Sequence, residues 1–348
     1  MILGITFGTV ATISIGAMIA THLIIKGQFG RGSYPSVPVA DYYYDHYKED
    51  YPRKSVTFTS GKNQLQGYIY GENNDLGLLV FAHGIGTGHE GYMQEILWMV
   101  DHGWRVFTYD ATGSCTSEGK GTVGLVQSAL DLDAALTYIE KEPSLNSLPT
   151  VLMGHSWGGY AVTAVLNFKH SVMASASLAG YSEPVEMMME FAKNTMGSAT
   201  GLLKPFAALE NKFLFGEHSE LSGIKGINQS GIPIMLVHGT KDKTIPIHTA
   251  AIVAHKSEIT NPNVVQKILS TEGQNGHTSI FLNEDSLDYV KEVNQRYATL
   301  YESYQKNVPH EVRAEFFESV DRDLINTPNL ALMEEIHEFF LRAIQNVK

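Results

Sequence analysis

Hydrophobic positions change regime twice along the chain. Residues 2–25, ILGITFGTVATISIGAMIATHLII, run for about 24 residues without Asp, Glu, Lys or Arg, and a helix needs roughly 20 apolar residues to cross a bilayer core. Residues 27–53 mix Gly, Pro and Ser with tyrosines and charges and show no sustained period, which reads as a tether. Its tyrosines, with an apolar ring and a polar tip, suit either the headgroup layer or the surface of the body. From Lys54 the pattern becomes regular. KSVTFTS and LQGYIYG alternate apolar and polar residues around GKNQ, the signature of a β-hairpin at a sheet edge. Short apolar runs follow, LGLLVFAHG, WRVFTYDA, TVLMGHS, MASASLAG, IPIMLVHGT and VVQKILS, with helical stretches between them. Strands alternating with helices predict a mostly parallel twisted sheet covered on both faces, within one domain spanning 54–348.

Two stretches break that rhythm. Residues 181–230 separate two predicted strands and contain PVEMMMEFAKNTMG and LLKPFAALENKFLFG, which read as helices rich in Met and Phe. An insertion there is the expected helical cap or lid. Residues 282–326 are helical and charged, and precede NLALMEEIHEFFLRAI, whose Leu332, Met333, Ile336, Phe339, Phe340, Ala343 and Ile344 form one apolar face suited to closing the sheet.

Composition narrows the function classes. A net charge of −12 with no sizeable Lys or Arg run argues against nucleic acid as a partner. The single cysteine, Cys115, excludes an intrachain disulfide. No basic residue precedes the apolar run, the run is long and no A-x-A site follows it, so residues 1–26 are expected to be an uncleaved transmembrane anchor rather than a signal peptide. Lys26 and Arg31 follow the run, which places the body on the cytoplasmic side of the cell membrane by the positive-inside rule.

The candidate chemistry centres on VLMGHSWGGY, residues 151–160. Gly154 and Gly158 flank Ser156 at the spacing G-x-S-x-G, between a predicted strand and a predicted helix. A turn this sharp presents the serine hydroxyl at the strand's carboxyl end, and the glycines let strand and helix approach without a Cβ collision. The next backbone N–H, that of Trp157, lies at a helix N-terminus where amide donors are free to receive an oxyanion. A base is offered by His277, in STEGQNGHTSIF after the last predicted strand, and an acid by Asp242, in VHGTKDKTIP after the strand before it. Pro246 suggests that a helix follows this acid. Histidine titrates near working pH, and a carboxylate beside it fixes its tautomer and stabilises the imidazolium. Among 14 histidines a lone one carries little weight; three residues at three strand ends carry much more.

In these residues the chain resembles the α/β-hydrolase superfamily from about Lys54 onward. The resemblance implies the order Ser156, Asp242, His277 as nucleophile, acid and base. It implies a second oxyanion donor, the N–H of Ile85, from FAHGIG after the third strand. It assigns His83 and His155 to motif positions without a direct catalytic role. YDATGSCTSEG, residues 109–119, resembles the superfamily's D-x-R-G-x-G-x-S-x-G element but carries Thr112 for arginine and Cys115 for the second glycine. No cofactor is implied, and His83 with His89 lacks a convincing metal-ligand spacing. The expected activity is hydrolysis of a small-molecule carboxylic ester, with a lipid-like ester among the candidates, through an acyl-serine. A thioesterase or amidase with the same triad, and a non-catalytic binding protein on the same fold, remain the alternatives.

Overall fold

The computed structural model describes residues 43–345 throughout and, before them, positions 16, 18–19, 21–23, 26–27, 29–35 and 37–41. Its centre is a sheet of β1 (Arg53–Ser60), β2 (Asn63–Tyr70), β3 (Gly77–Ala82), β4 (Trp104–Tyr109), β5 (Thr150–His155), β6 (Ala174–Leu178), β7 (Ile234–Gly239) and β8 (Val264–Leu269). The strand order is β1-β2-β4-β3-β5-β6-β7-β8. The expected hairpin forms, with Arg53 opposite Tyr70 and Ser60 opposite Asn63, and β2 also meets β4 antiparallel. All remaining pairings are parallel. β3, β5, β6 and β7 are buried along their whole length, as their unbroken apolar runs require.

Side chains alternate between two core layers with the two-residue period of a strand. Leu78 and Val80 of β3 join one layer with Leu132 and Leu136 of α2 (Gln127–Lys141), Ala161 of α3 (Trp157–Ala164) and Ile227 of α6 (Gly223–Ser230). Leu79 and Phe81 join the other with Ile96 of α1 (Met93–Asp101) and with Ile336 and Phe340 of α10 (Leu330–Gln345). Between β6 and β7 stand α4 (Pro184–Met196), α5 (Lys204–Phe215) and α6, with 3-10 turns at Gly197–Leu203 and Gly216–Glu220. The charged stretch before α10 folds as α7 (Glu284–Ser303), α8 (His310–Glu318) and α9 (Arg322–Ile325), joined by a small cluster of Val293, Val320 and Ile325.

Two expectations change. No α-helix forms between Pro246 and β8; the chain makes only a 3-10 run there, Ile252–Glu258, kinked at His255. Ala251 bridges Tyr181 and the Ile252 N–H donates to the Gly180 carbonyl, so the segment is pinned to the turn after β6. The stretch read as a tether also lies against the body. Phe29 is buried, and Gly32 exchanges backbone hydrogen bonds with the carbonyl of Gly113 and the N–H of Cys115. Arg31 donates to the carbonyls of Cys115, Ser117 and Gly119. The guanidinium of Arg53 lies 3.6 Å from the centre of the Tyr44 ring. Polar residues that looked unstructured by period are held here by backbone and cation–π contacts that no periodicity reports. Most of the apolar run 2–25 lies outside the described residues, and among those described no helix is long and apolar enough to cross a membrane.

Phe340 is fully buried and its ring meets Trp104 edge-on at 5.8 Å. Phe340→Ala should therefore cost about 3–5 kcal/mol in urea unfolding, and a loss under about 1 kcal/mol would show that α10 does not seal this face.

Candidate active site

The turn between β5 and α3 is one residue long. Ser156 holds φ 57° and ψ −113°, a backbone region that non-glycine residues rarely adopt. The flanking glycines are required by contact. A Cβ at position 158 would sit 1.9 Å from the Ala82 carbonyl oxygen, and one at 154 would sit 2.4 Å from that of Gly158. The strained turn is held by the Ser156 N–H, which donates to the Leu178 carbonyl at 2.9 Å.

The three residues expected at three strand ends converge. Ser156 Oγ lies 2.9 Å from His277 Nε2, and His277 Nδ1 lies 2.8 Å from Asp242 Oδ2. With Nδ1–H donating to the carboxylate, Nε2 is left to accept from the serine hydroxyl. The other oxygen of Asp242 accepts the backbone N–H groups of Thr244 and Ile245 at 2.8 and 2.9 Å. Burial works to raise the pKa of Asp242, but the hydrogen bond and charge of His277 and the Ile245 N–H outweigh it and hold the group below its ordinary value. The site is screened from water: Ser156 is 8 % exposed and the His277 side chain 16 %.

Neither Ile85 nor Trp157 uses its backbone N–H on a protein acceptor among the described residues. The adjacent Gly84 N–H is engaged, donating to Tyr92 Oη at 3.1 Å. From Tyr92 a relay continues, and sequence reasoning missed it. The Tyr92 hydroxyl donates to His155 Nδ1 at 2.8 Å, and His155 Nε2–H donates to the His277 carbonyl at 2.9 Å. Burial, helped by the neighbouring His277, lowers the His155 pKa to about 3 and keeps the ring neutral. Only the position of His155 inside GHSWG hinted at it; Tyr92 carried no local signal. Among the described residues no cluster of three or more His, Cys, Asp or Glu is placed to hold a metal.

The family described as serine aminopeptidase, S33, has a model that matches residues 73–222. The uncharacterized protein YfhR of Salmonella typhi is 24% identical over 223 residues, 61% of this chain and 73% of its own. The solved esterase Pf2001 of Pyrococcus furiosus superposes with a TM-score of 0.54 at 16% identity, over 79% of this chain and 98% of its own. The chain has the α/β-hydrolase fold. An acylaminoacyl peptidase of Pyrococcus horikoshii shares the fold at a TM-score of 0.50 and 18% identity, over 68% of this chain and 40% of its own.

Both departures from the superfamily's loop after the fourth strand are absorbed locally. Thr112, in place of arginine, gives its backbone N–H and its hydroxyl to the buried carboxylate of Asp131 at 2.7 and 2.8 Å. Cys115, in place of glycine, keeps a positive φ of 39°. Its thiol is pushed up to about 12 by burial and by the charge of Asp110, so it stays protonated at neutral pH.

Two measurements test this architecture. Gly158→Ala has no space without moving backbone, and should cost at least about 3 kcal/mol or prevent folding; wild-type stability would mean that the elbow is looser than described. The second concerns His155, whose pKa in the folded protein is about 3 against an ordinary 6.5. Between those values the unfolded chain binds a proton that the folded one does not, so this residue makes stability fall as pH drops from 6.5 towards 3. His155→Asn should flatten the acid limb of the urea midpoint against pH, and an unchanged slope would contradict the buried neutral ring.

Proposed function

We propose that the chain is a serine hydrolase that cleaves a carboxylic ester. The observation that carries the reading is His277 bridging Ser156 and a buried, backbone-held Asp242. Ser156 Oγ attacks the ester carbonyl while His277 Nε2 takes its proton, and Asp242 stabilises the imidazolium that results. The carbonyl oxygen becomes an oxyanion between the N–H groups of Ile85 and Trp157. Collapse breaks the bond to the alcohol, which leaves with the proton from His277. Water, deprotonated by the same ring, then releases the acid and restores the serine.

The esterase description of Pf2001 favours ester cleavage. The description of the matching family as a serine aminopeptidase keeps amide cleavage as the second reading; p-nitrophenyl esters tested beside aminoacyl p-nitroanilides separate the two. A lipid-like acyl group in the substrate is favoured by the apolar run 2–25, which would anchor the enzyme at the cell membrane with its body in the cytoplasm. Met187 and Met188 of the cap are buried in the core. Room for a long acyl chain therefore has to come from half-buried residues such as Ile85, Val185 and Met189.

Ser156→Ala should abolish fluorophosphonate labelling and lower kcat by at least about 10⁴, and Asp242→Asn by somewhat less. Labelling that survives Ser156→Ala would refute the nucleophile, and an unlabelled, folded wild type would favour a binding protein. In the same assay kcat/KM should climb from acetate to octanoate, with each methylene contributing up to ~0.8 kcal/mol. A maximum at acetate would refute the lipid-like substrate alone.

A further inference from the structure

The cap helix α5 has two apolar faces. Ala207, Asn211 and Phe215 repeat every fourth residue and are buried against the body. On the opposite side Phe206, Leu209 and Phe213, preceded by Leu202 of the 3-10 turn, follow one another at intervals of three and four, and most of this stripe is bare: Leu202 is 79 % exposed, Leu209 52 % and Phe213 84 %, with Phe206 half-buried. A globular helix ordinarily turns its polar residues to that side. Beside the stripe, His22 of the N-terminal segment meets Glu210 of α5 at 2.8 Å, and the helical positions around it expose Met18, Ile19 and Leu23.

The chain's own length decides what covers these residues. Phe29 to Tyr34 are fastened to the body through Phe29, Arg31 and Gly32. Only residues 26–28 separate Phe29 from the end of the apolar run. At most ~3.6 Å per residue, the run ends within about 14 Å of the docked Phe29, so the body has no slack to stand away from whatever takes up that run. Between the docked segment and α5 lies a groove of about 740 Å³ whose walls carry Lys26, Lys62 and Lys120 beside Glu118 and Glu210, an excess of cations suited to anionic headgroups in a chain of net charge −12.

We propose that the outer face of α5, with the exposed apolar positions of residues 18–23, is a lipid-binding surface that seats the cap in the leaflet beside the N-terminal segment. The inference rests on the reading of residues 2–25 as membrane-inserted. It adds that the cap is itself an interfacial helix, so that bilayer lipid meets the molecule on the side that carries the cap.

Full-length protein with Cys115→Ser, carrying either Phe213→Cys or Lys141→Cys, is labelled with an environment-sensitive fluorophore. It is then reconstituted into vesicles of phosphatidylcholine and phosphatidylglycerol, with or without brominated acyl chains. Lys141 is the last residue of α2, which leads back to the amino end of β5, whereas the cap follows the carboxyl end of β6. Flotation reports whether the chain is held by the vesicles, and bromine quenching reports what touches the cap; neither depends on activity. The label at 213 should lose fluorescence on the order of twofold in brominated vesicles while the label at 141 does not. Flotation without quenching at 213 would overturn the cap contact and leave the anchor standing. Failure to float would remove both. Fluorescence at 213 that shifts with protein concentration and ignores bromine would assign the stripe to a second copy of the chain. As a second readout, Leu209→Asp with Phe213→Asp should lower hydrolysis of a vesicle-borne long-chain ester about tenfold relative to a soluble short one. Equal loss on both substrates would also count against the surface.

Discussion

The site depends on a steric constraint, the passage of α3's first turn over the end of β3 with no room for a Cβ at position 158. That contact sets how close the helix N-terminus comes to the loop after β3, and so how close the Trp157 and Ile85 N–H groups lie to each other. It also forces the change of direction within one residue, which is why Ser156 carries a strained backbone. Strain of this kind costs on the order of 1–3 kcal/mol and persists only where surroundings over-determine it. Here the surroundings are a fully buried β5, a fully buried α3 and the Leu178 carbonyl that receives the Ser156 N–H.

Two histidine–aspartate pairs show how similar contacts serve different ends. His277 and Asp242 meet at 2.8 Å, and the free ring nitrogen of His277 faces a hydroxyl on a partly accessible edge. His89 and Asp110 meet at 2.9 Å with both side chains wholly buried, and the second ring nitrogen of His89 is occupied by Tyr70 Oη and an Arg53 guanidinium N–H. Asp110 also receives the His89 and Thr116 N–H groups and the Thr116 hydroxyl. A pair with every partner in place has no proton to exchange with a substrate; its effect is to tie the loop after β4 to the loop that carries Ile85. Proximity of His to Asp is thus weak evidence of chemistry until the far side of the ring is examined.

That distinction also marks how far the sequence can be read. The strands, the hairpin, the elbow, the cap helices and α10 are local patterns, and Ser156, Asp242 and His277 are legible because each sits at a fixed offset from a strand end. What escaped reading depends on distant partners. Tyr92 and His155 matter through a hydrogen bond between elements 63 residues apart, and each in isolation is an ordinary buried side chain. The run after Pro246 gave a helix signal, yet pairing with the turn after β6 overrode it. The Met-rich insertion was legible as helices, but periodicity alone does not say which of two apolar faces a helix buries. For α5 the less obvious set, Ala207, Asn211 and Phe215, faces inward, and the larger side chains face out.

The docked segment and the site belong to one mechanical unit. Arg31 and Gly32 are bonded to residues 113–119, and the same loop's Asp110 accepts the Tyr34 hydroxyl at 3.3 Å. Asp110 in turn accepts the N–H and the ring of His89, at the far end of the loop that begins with Gly84 and Ile85. Two hydrogen-bonded steps therefore join the residues just after the apolar run to the loop that carries Ile85. A flexible tether would fix only the enzyme's distance from the apolar run, leaving its orientation free. A segment bonded to the body instead shares its contacts with the loops around the site, so the residues after the run and the loop that carries Ile85 are held in one register.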